Sequence, residues 1–257
     1  TEGPALAVAD INGDNREDFF LGSSKGTKAK VIVQLANGTF AELKQPALEA
    51  DSMYEEVDAI WLDINQDGHP DLLTASGGNE YYGKDSKLLP RAYLNNGSGL
   101  LTVVTDAFPS QVLLTASCIK AADFSGDGIP DLFIGARAVP YEYGKVPPSY
   151  LLVNDGKGHF VDQTKTRMPD NGLLGFVKNA NWFDMDGDGD VDLLLALEWG
   201  PLTMLENNTG KFSKRILHTA TGWWNFLLPV DINNDGLPDL VAGNQGFNNR
   251  LKPVKGK

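Results

Sequence analysis

The 257-residue sequence has few of the side chains that form cross-links or catalytic centres. Its single cysteine, Cys118, excludes a disulfide within the chain, and we expect this thiol to be a buried apolar group in a strand. There are three histidines, and no nucleophile with an adjacent base can be read from the sequence. The sequence therefore does not indicate an enzyme.

Long apolar runs are also missing. No stretch reaches the roughly 18 apolar residues that a membrane-spanning helix requires, and the chain does not open with a signal peptide. We therefore expect no transmembrane segment, and we interpret the sequence as a mature form or an excised part of a larger polypeptide or assembly.

Basic residues do not balance the acidic ones, since 22 stand against 34 and the formal net charge is -12. Sixteen of the acidic residues occupy repeated positions in five short segments, which leaves 18 acidic and 22 basic residues elsewhere. No basic stripe remains that could neutralise phosphates, so nucleic acid is not an expected partner. The excess negative charge belongs to the five segments.

The most acidic segment, residues 184–192, reads Asp-x-Asp-x-Asp-Gly-x-x-Asp. Closely similar spacings start at residues 10, 63, 123 and 231, with Asn or Ser at the third position. Two like charges about 4 Å apart repel by roughly 1 kcal/mol even in water. Side-chain oxygens at alternate positions are the hard ligands that Ca²⁺ prefers. The sequence therefore predicts up to five calcium sites.

Each predicted site uses the side chains at positions one, three, five and nine and the backbone carbonyl of position seven. The first copy has Asn15 where the other four have glycine, and asparagine is the next best residue for the left-handed backbone needed there. The predicted metal ligands are Asp10, Asn12, Asp14, Arg16, Asp18, Asp63, Asn65, Asp67, His69, Asp71, Asp123, Ser125, Asp127, Ile129, Asp131, Asp184, Asp186, Asp188, Asp190, Asp192, Asp231, Asn233, Asp235, Leu237 and Asp239.

An EF-hand loop would need Glu at position twelve. Position twelve is Leu, Thr, Ile, Leu and Ala in the five copies, and the residues after position nine are apolar and strand-like, which excludes the EF-hand. Position two is apolar in every copy, so we expect a core residue to fix each loop. These core residues are Ile11, Ile64, Phe124, Met185 and Ile232.

The loops start 47 to 61 residues apart, a period that indicates propeller blades. In each unit a short strand enters the loop and an apolar strand leaves it, and in the first four a hairpin with an Asn/Gly turn follows. This pattern predicts one all-β domain over residues 1–257, a β-propeller of four-stranded antiparallel blades. The predicted units are four complete blades and an inner half-blade of a larger, for example seven-bladed, propeller: residues 4–50, 56–110, 116–170, 176–220 and 223–257.

Two units carry tyrosine-rich insertions, residues 77–84 and 139–145. Aromatic loop residues suit saccharide or peptide contacts, so these tyrosines form the candidate ligand surface, and packing between the loops is their alternative role. The candidate ligand-binding residues are Tyr81, Tyr82, Tyr141 and Tyr143. Three tryptophans could line the same surface, although core packing explains them better: Trp199, Trp223 and Trp224.

The loop motif Asp-x-Asn/Asp-x-Asp-Gly-x-Pro-Asp-Leu and the hairpin motif Leu-x-Asn-Asn/Asp-Gly-x-Gly-x-Phe resemble the FG-GAP and VCBS repeats of integrin-α-like propellers. The resemblance covers nearly the whole chain. Residues 77–80, 91–97, 148–152 and 242–246 are further similar to bacterial VCBS proteins of the ASPIC/UnbV group. The resemblance implies a secreted or cell-surface protein whose propeller binds Ca²⁺ in blade loops and serves in cell adhesion or recognition.

Calcium sites that resemble those of extracellular modules need roughly 10⁻⁴ to 10⁻³ M free calcium. We therefore expect an extracellular location, either secreted or on a bacterial cell surface, with Ca²⁺ in a mainly structural role. The expected partner is a protein or glycan ligand. Two other functions stay open: a calcium-dependent polysaccharide-active enzyme, and a structural spacer domain of a larger surface protein. A propeller hosts unrelated functions, so the resemblance does not identify the ligand.

Overall fold

The computed structural model describes residues 4–246, so residues 247–257 of the predicted half-blade lie outside the described residues. The described chain forms four antiparallel sheets, each of four strands that follow one another in chain order. The first sheet consists of β1 (Leu6–Ala9), β2 (Asp18–Leu21), β3 (Lys30–Gln34) and β4 (Phe40–Leu43). The second consists of β5 (Glu56–Leu62), β6 (Asp71–Ser76), β7 (Arg91–Asn95) and β8 (Leu101–Val104).

The third sheet consists of β9 (Thr115–Ala122), β10 (Asp131–Ala138), β11 (Tyr150–Asn154) and β12 (Phe160–Asp162). The fourth consists of β13 (Phe176–Phe183), β14 (Asp192–Asn208), β15 (Lys211–Val230) and β16 (Asp239–Asn244). Short helices lie between strands: α1 (Pro46–Ala50), α2 (Thr164–Arg167) and two 3₁₀ turns (Ser86–Leu88 and Pro169–Gly172). The structure confirms the predicted all-β fold of four-stranded antiparallel sheets.

The fourth sheet contains strands of two units because the long strand β15 belongs to both: its start is the last strand of the fourth unit, and its end is the first strand of the fifth. The amide of Asn207 donates to Asp192 Oδ1 at 2.8 Å, whereas a fully extended strand of this length would separate them by about 50 Å. β14 therefore folds back on itself, at Trp199 (φ 64°) and Gly200. Its first half pairs with β13 and its second half with the start of β15, while the end of β15 pairs with β16. The end of β15 and β16 thus form the first hairpin of a fifth unit.

The first strands of successive units lie side by side. β1 contacts β5, β5 contacts β9, β9 contacts β13, and β13 contacts β15. Side chains bridge these strands, since Trp61 Nε1 donates to the carbonyl of Ala7 at 3.2 Å and Asn181 Nδ2 donates to the carbonyl of Leu227. The units are therefore stacked with their first strands adjacent, as propeller blades are.

Apolar side chains fill the spaces between neighbouring sheets. The second strand of a blade is covered on both faces, which explains why β6 is buried along its whole length and why its sequence does not alternate. One cluster, which includes Phe124, Phe133 and Leu195, joins the third and fourth sheets. Cys118 lies in this cluster as a buried free thiol, as predicted, and burial raises its pKa to about 11.

Glu56 lies at the junction of the first two blades. Its backbone exchanges hydrogen bonds with Ala5 and Ser23, its Oε2 accepts the amide of Ser23 at 2.8 Å, and the residue is 4% exposed. Burial raises the pKa of this carboxyl from 4.5 to about 7. The folded state therefore binds the proton more tightly than the unfolded state, and stability falls as the pH rises from about 4.5 to 7.

We expect Glu56→Gln to be more stable than the wild type at pH 8, by on the order of 2 kcal/mol, because no charge is then buried. The advantage should shrink as the pH is lowered to 5. Denaturant unfolding at pH 5, 6, 7 and 8 measures the difference. Glu42→Gln, which removes a carboxylate from an exposed pair with Lys30, is the control for charge removal. Parallel profiles for wild type and Glu56→Gln would contradict the buried-charge interpretation.

Candidate metal-binding loops and an aromatic cavity

The five acidic loops, defined as residues 10–18, 63–71, 123–131, 184–192 and 231–239 and numbered one to five, share one conformation. In loop one, Asp10 Oδ1 accepts the amides of Gly13 and Asp14 at 2.8 and 3.1 Å, and its Oδ2 accepts that of Asn15 at 2.7 Å. Although burial acts in the opposite direction, these amides hold the pKa of Asp10 below its ordinary value. The position-one carboxylates of the other loops also accept amides from positions four to six: Asp63, Asp123, Asp184 and Asp231.

Every loop contains two left-handed residues. Position six adopts a φ of 84° at Gly68, and Asn15 takes the same conformation with a φ of 62°, so the loop closes without glycine there. Position four is also left-handed, for example at Gly126 and, without glycine, at Gln66 (φ 79° and 63°). This second left-handed position was not predicted, although three of the five copies carry glycine there.

The position-nine aspartates of loops one to four are buried at the base of each loop. Asp71 Oδ2 accepts the amide of Ile64 at 3.1 Å, and its Oδ1 accepts the amide of Asn95 on the third strand at 2.8 Å. Burial raises the pKa of Asp71 to about 6. Burial likewise raises the pKa of the equivalent residues, which are Asp18, Asp131 and Asp192. Four carboxylates are thus held where a charge is costly without a cation.

Loop four brings three carboxylates together at positions one, three and five. Asp184, Asp186 and Asp188 each offer an oxygen within 4.8 Å of the others, and no other group of three acidic, histidine or cysteine residues in the described range 4–246 does so. Ca²⁺ binds oxygen at 2.3–2.6 Å, so ligands on opposite sides of one ion lie about 5 Å apart. The triad therefore fits a calcium ion by chemistry and by spacing.

The remaining predicted ligands take part in hydrogen bonds within their loops. Asp192, at position nine of loop four, is not part of the triad, because its oxygens accept the amides of Met185 and Asn207. In loops two and five the third position is an amide that donates to the position-five carboxylate, as Asn65 does to Asp67 at 3.0 Å. The position-seven residues donate their amides to position five: Arg16, His69, Ile129, Asp190 and Leu237.

Loop one differs in charge. The guanidinium of Arg16 pairs with the carboxylate of Asp14 and donates to the carbonyl of Gln34 at 2.9 Å. The arginine therefore neutralises a carboxylate that a bound metal ion would need as a ligand. Of the five loops, loop one is therefore the least suited to a cation.

The expectation that position two is a core residue holds for most loops and is wrong for loop five. Ile11, Ile64 and Phe124 are 0 to 2% exposed, whereas Ile232 is 62% exposed. The hairpin of the next blade covers Ile11 and Ile64, and within residues 4–246 no further hairpin lies against loop five. The side chain at position two is thus buried by the hairpin of the next blade and not by its own blade.

The tyrosine insertions lie at the opposite end of the blades from the acidic loops, because antiparallel strands place the connection between strands two and three away from that between strands one and two. Tyr82 and Tyr141 meet edge to face with ring centroids 5.2 Å apart. They border a cavity of about 720 Å³ whose lining includes Leu88, Leu114, Thr115 and Pro148. The hydroxyl of Thr115 is buried without a hydrogen-bond partner.

The structure does not bring all four tyrosines to this cavity. Tyr81 packs against the first blade, where its hydroxyl donates to the carbonyl of Met53 and Lys25 Nζ lies 4.5 Å from its ring. Tyr143 is fully exposed and does not line the cavity.

The interpretation of Trp199 as a core residue is wrong, because it is 51% exposed and packs on Trp223 at the turn of β14.

The repeats match a family model described as FG-GAP-like repeat over residues 10–74, 63–134 and 184–242. Each match starts at position one of an acidic loop, and together they contain all five loops. The described residues contain no helix that is long and apolar enough to cross a membrane.

Curated relatives include integrin alpha chains. Integrin alpha-V of Gallus gallus is 29% identical over 161 residues, which cover 53% of this chain and 15% of the integrin. Integrin alpha-IIb of Homo sapiens is 28% identical over 197 residues, 64% of this chain and 18% of the integrin. The phosphatidylinositol-glycan-specific phospholipase D of Mus musculus is 28% identical over 54% of this chain and 18% of that protein. The chain thus spans less than a fifth of each relative.

Two solved structures share the fold. A lectin of Agrocybe aegerita, described as recognising non-reducing terminal N-acetylglucosamine, has a TM-score of 0.55 and 19% identity over 82% of this chain and 51% of its own. BBS1N, solved in complex with ARL6DN, has a TM-score of 0.53 and 14% identity over 90% of this chain and 61% of its own. At these identities the likeness shows architecture alone.

The finer resemblance to the ASPIC/UnbV group stays a prediction. The chain belongs to the FG-GAP-like repeat family.

Proposed function

We propose that this chain is a calcium-stabilised recognition module that works outside the cytosol. The acidic loops hold up to five Ca²⁺ ions, and the opposite end of the blades binds a protein or glycan ligand. The observation that carries the metal assignment is the triad of Asp184, Asp186 and Asp188, within a loop conformation that recurs in all five units. The predicted blade units, residues 4–50, 56–110, 116–170, 176–220 and 223–257, are part of this proposal.

In each loop the side chains of positions one, three and five would hold the ion, supported by the carbonyl of position seven and the aspartate of position nine. Bound Ca²⁺ supplies positive charge and a rigid cross-link between these oxygens. The position-nine aspartate starts the buried second strand, so a filled loop fixes the join between the first two strands of its blade. The role that we propose for calcium is therefore structural.

In this proposal the ions are separate from the candidate ligand surface. The acidic loops lie at one end of the blades, and the cavity bordered by Tyr82 and Tyr141 lies at the other. Calcium then supports the ligand surface through the blades and does not bridge to a ligand in this cavity. The likeness to integrin alpha chains supports a role in adhesion.

The ligand surface can be tested by screening the purified chain, in millimolar calcium, against a glycan array and an array of extracellular proteins. We expect at least one specific hit, and we expect Tyr82→Ala with Tyr141→Ala to weaken its affinity by about tenfold or more, because aromatic anchors carry much of the binding energy. Tyr143→Ala is the matched control, since this exposed tyrosine stands outside the cavity. Equal binding by the double variant and the wild type would remove the cavity from the proposal.

We propose no catalytic activity. The match to the phospholipase D covers 18% of that protein and so gives no information on hydrolysis by this chain. A screen of polysaccharides for calcium-dependent cleavage tests the enzymatic alternative, and product formation would favour it. A chain that binds neither array while still binding calcium would support the role of a structural spacer.

A further inference from the structure

Three buried asparagines connect the acidic loops of neighbouring blades. Each stands at the end of the third strand of its blade, and each is 2% exposed. They are Asn95, Asn154 and Asn207. Their position beside an Asn/Gly hairpin turn predicts only a role in that turn.

Asn95 contacts two loops at once. Its Nδ2 donates to the carbonyl of Ile11, position two of loop one, at 2.8 Å and to the carbonyl of Pro70, position eight of loop two, at 3.0 Å. Its backbone amide donates to Asp71 of loop two at 2.8 Å. One side chain therefore joins the base of loop two to the loop of the preceding blade.

The same arrangement recurs at two further blade junctions. Asn154 Nδ2 donates to the carbonyls of Ile64 and Pro130 at 3.2 and 3.3 Å. Asn207 Nδ2 donates to the carbonyls of Phe124 and Val191 at 3.3 and 3.2 Å. The connected positions are always position two of the preceding loop and position eight of the asparagine's own loop.

These bonds extend from loop to loop. The amide of Ile64 donates to Asp71 at 3.1 Å, and the carbonyl of the same residue accepts Asn154. Position two of loop two is therefore held by the position-nine carboxylate of its own loop and by the next blade. Position two lies between the predicted ligands at positions one and three, so fixing its peptide also positions those ligands.

We propose that Asn95, Asn154 and Asn207 are positioning residues that couple cation binding in consecutive loops. This inference rests on the proposed calcium function. An ion in loop two fixes Asp71 and the segment of Pro70, which orients Asn95 and so prepares loop one for its own ion. By linkage, an ion in loop one favours binding in loop two to the same degree.

The test is hydrogen–deuterium exchange of loops one, two and four, measured against calcium concentration for Asn95→Ala and for the control Asn96→Ala. Asn96 lies in the same hairpin, and its side-chain oxygen accepts local donors: the amides of Ser98 and Leu100 at 3.0 and 3.3 Å and the hydroxyl of Ser98 at 2.7 Å. For Asn95→Ala we expect the calcium midpoint to rise by about fivefold or more in loops one and two. It should stay unchanged in loop four, and in all three loops of the control.

A second variant separates the loop contacts from the turn contacts, and a melt in calcium reports whether each variant is folded. Asn95→Asp keeps the oxygen that accepts the amides of Gly97 and Gly99, and removes the two donors that reach the loops. Asn95→Asp should raise the calcium midpoints of loops one and two as Asn95→Ala does. In addition, Asp63→Asn should weaken loop one in the wild-type background and should not weaken it further when Asn95 is replaced.

Different outcomes would refute the proposed calcium function and the proposed coupling between loops. If no loop of the wild type shows calcium-dependent protection, the proposed function fails. If the wild type responds to calcium but the midpoint of loop one is unaffected by either Asn95 variant, the coupling is refuted. An equal shift in the Asn96→Ala control would also refute it, because the effect would then come from the turn.

Discussion

Removal of calcium is expected to lower the melting temperature of this chain by tens of degrees. A cation that binds only the folded state stabilises it by about 1.8 kcal/mol per site at a twentyfold excess over Kd, which 2 mM calcium supplies for a Kd of about 10⁻⁴ M, so five sites contribute roughly 9 kcal/mol. For a chain of this size each kcal/mol corresponds to about 2–4 °C. Part of this gain is relief of repulsion, because the five loops bring sixteen carboxylates close together.

The measurement is a thermal melt in 2 mM calcium and again in excess chelator, followed by circular dichroism. Addition of calcium beyond the chelator should restore the higher transition, which controls for effects of the chelator itself. A melt that is the same in chelator and in calcium would show that the loops do not stabilise the fold through a metal.

The second large effect is expected at loop four from Asp188→Asn. Asp188 belongs to the three-carboxylate group, and loss of one charged ligand should weaken calcium binding in this loop on the order of tenfold. With calcium bound, the variant should be less stable than the wild type, and in chelator this difference in stability should vanish or change sign. The variant should then be as stable as the wild type or more stable, because it relieves repulsion among the remaining carboxylates.

Asp190→Asn is the matched control, since this carboxylate accepts the amide of Thr209 and is not predicted to face the ion. We expect it to change the calcium affinity much less than Asp188→Asn does. Loop-resolved hydrogen exchange against calcium concentration, together with melts in chelator, measures both effects. Equal destabilisation by Asp188→Asn with and without calcium would indicate ordinary structural damage and contradict the ligand role.

The fold could be predicted because its signals are local and repeated. Each loop fixes where a first strand ends and a second strand begins, and each Asn/Gly turn fixes a hairpin, as at residues 35–39 and 154–159. The short helices α1 and α2 were not predicted, because helices of four or five residues carry no periodic pattern. The tight return of β14 at Trp199 was missed, since a bulky residue with positive φ is rare.

The site could be predicted only within one loop at a time. The spacing of oxygen-bearing residues identifies the ligand types and leads directly to Asp184, Asp186 and Asp188. What spacing cannot reveal is how one blade acts on the next. The exposed Ile232 and the double role of Asn95 depend on the position of a neighbouring hairpin, which the sequence of a single loop does not contain.

The most direct test is a crystal structure in millimolar calcium, with anomalous diffraction recorded at long wavelength to locate the ions. We expect an anomalous peak in loop four, bound by Asp184, Asp186 and Asp188 at about 2.3–2.6 Å, and peaks at the equivalent positions of loops two, three and five. Loop one should fill last because Arg16 pairs with Asp14. Ordered loops with no anomalous peak at this calcium concentration would contradict the assignment of these repeats as calcium sites.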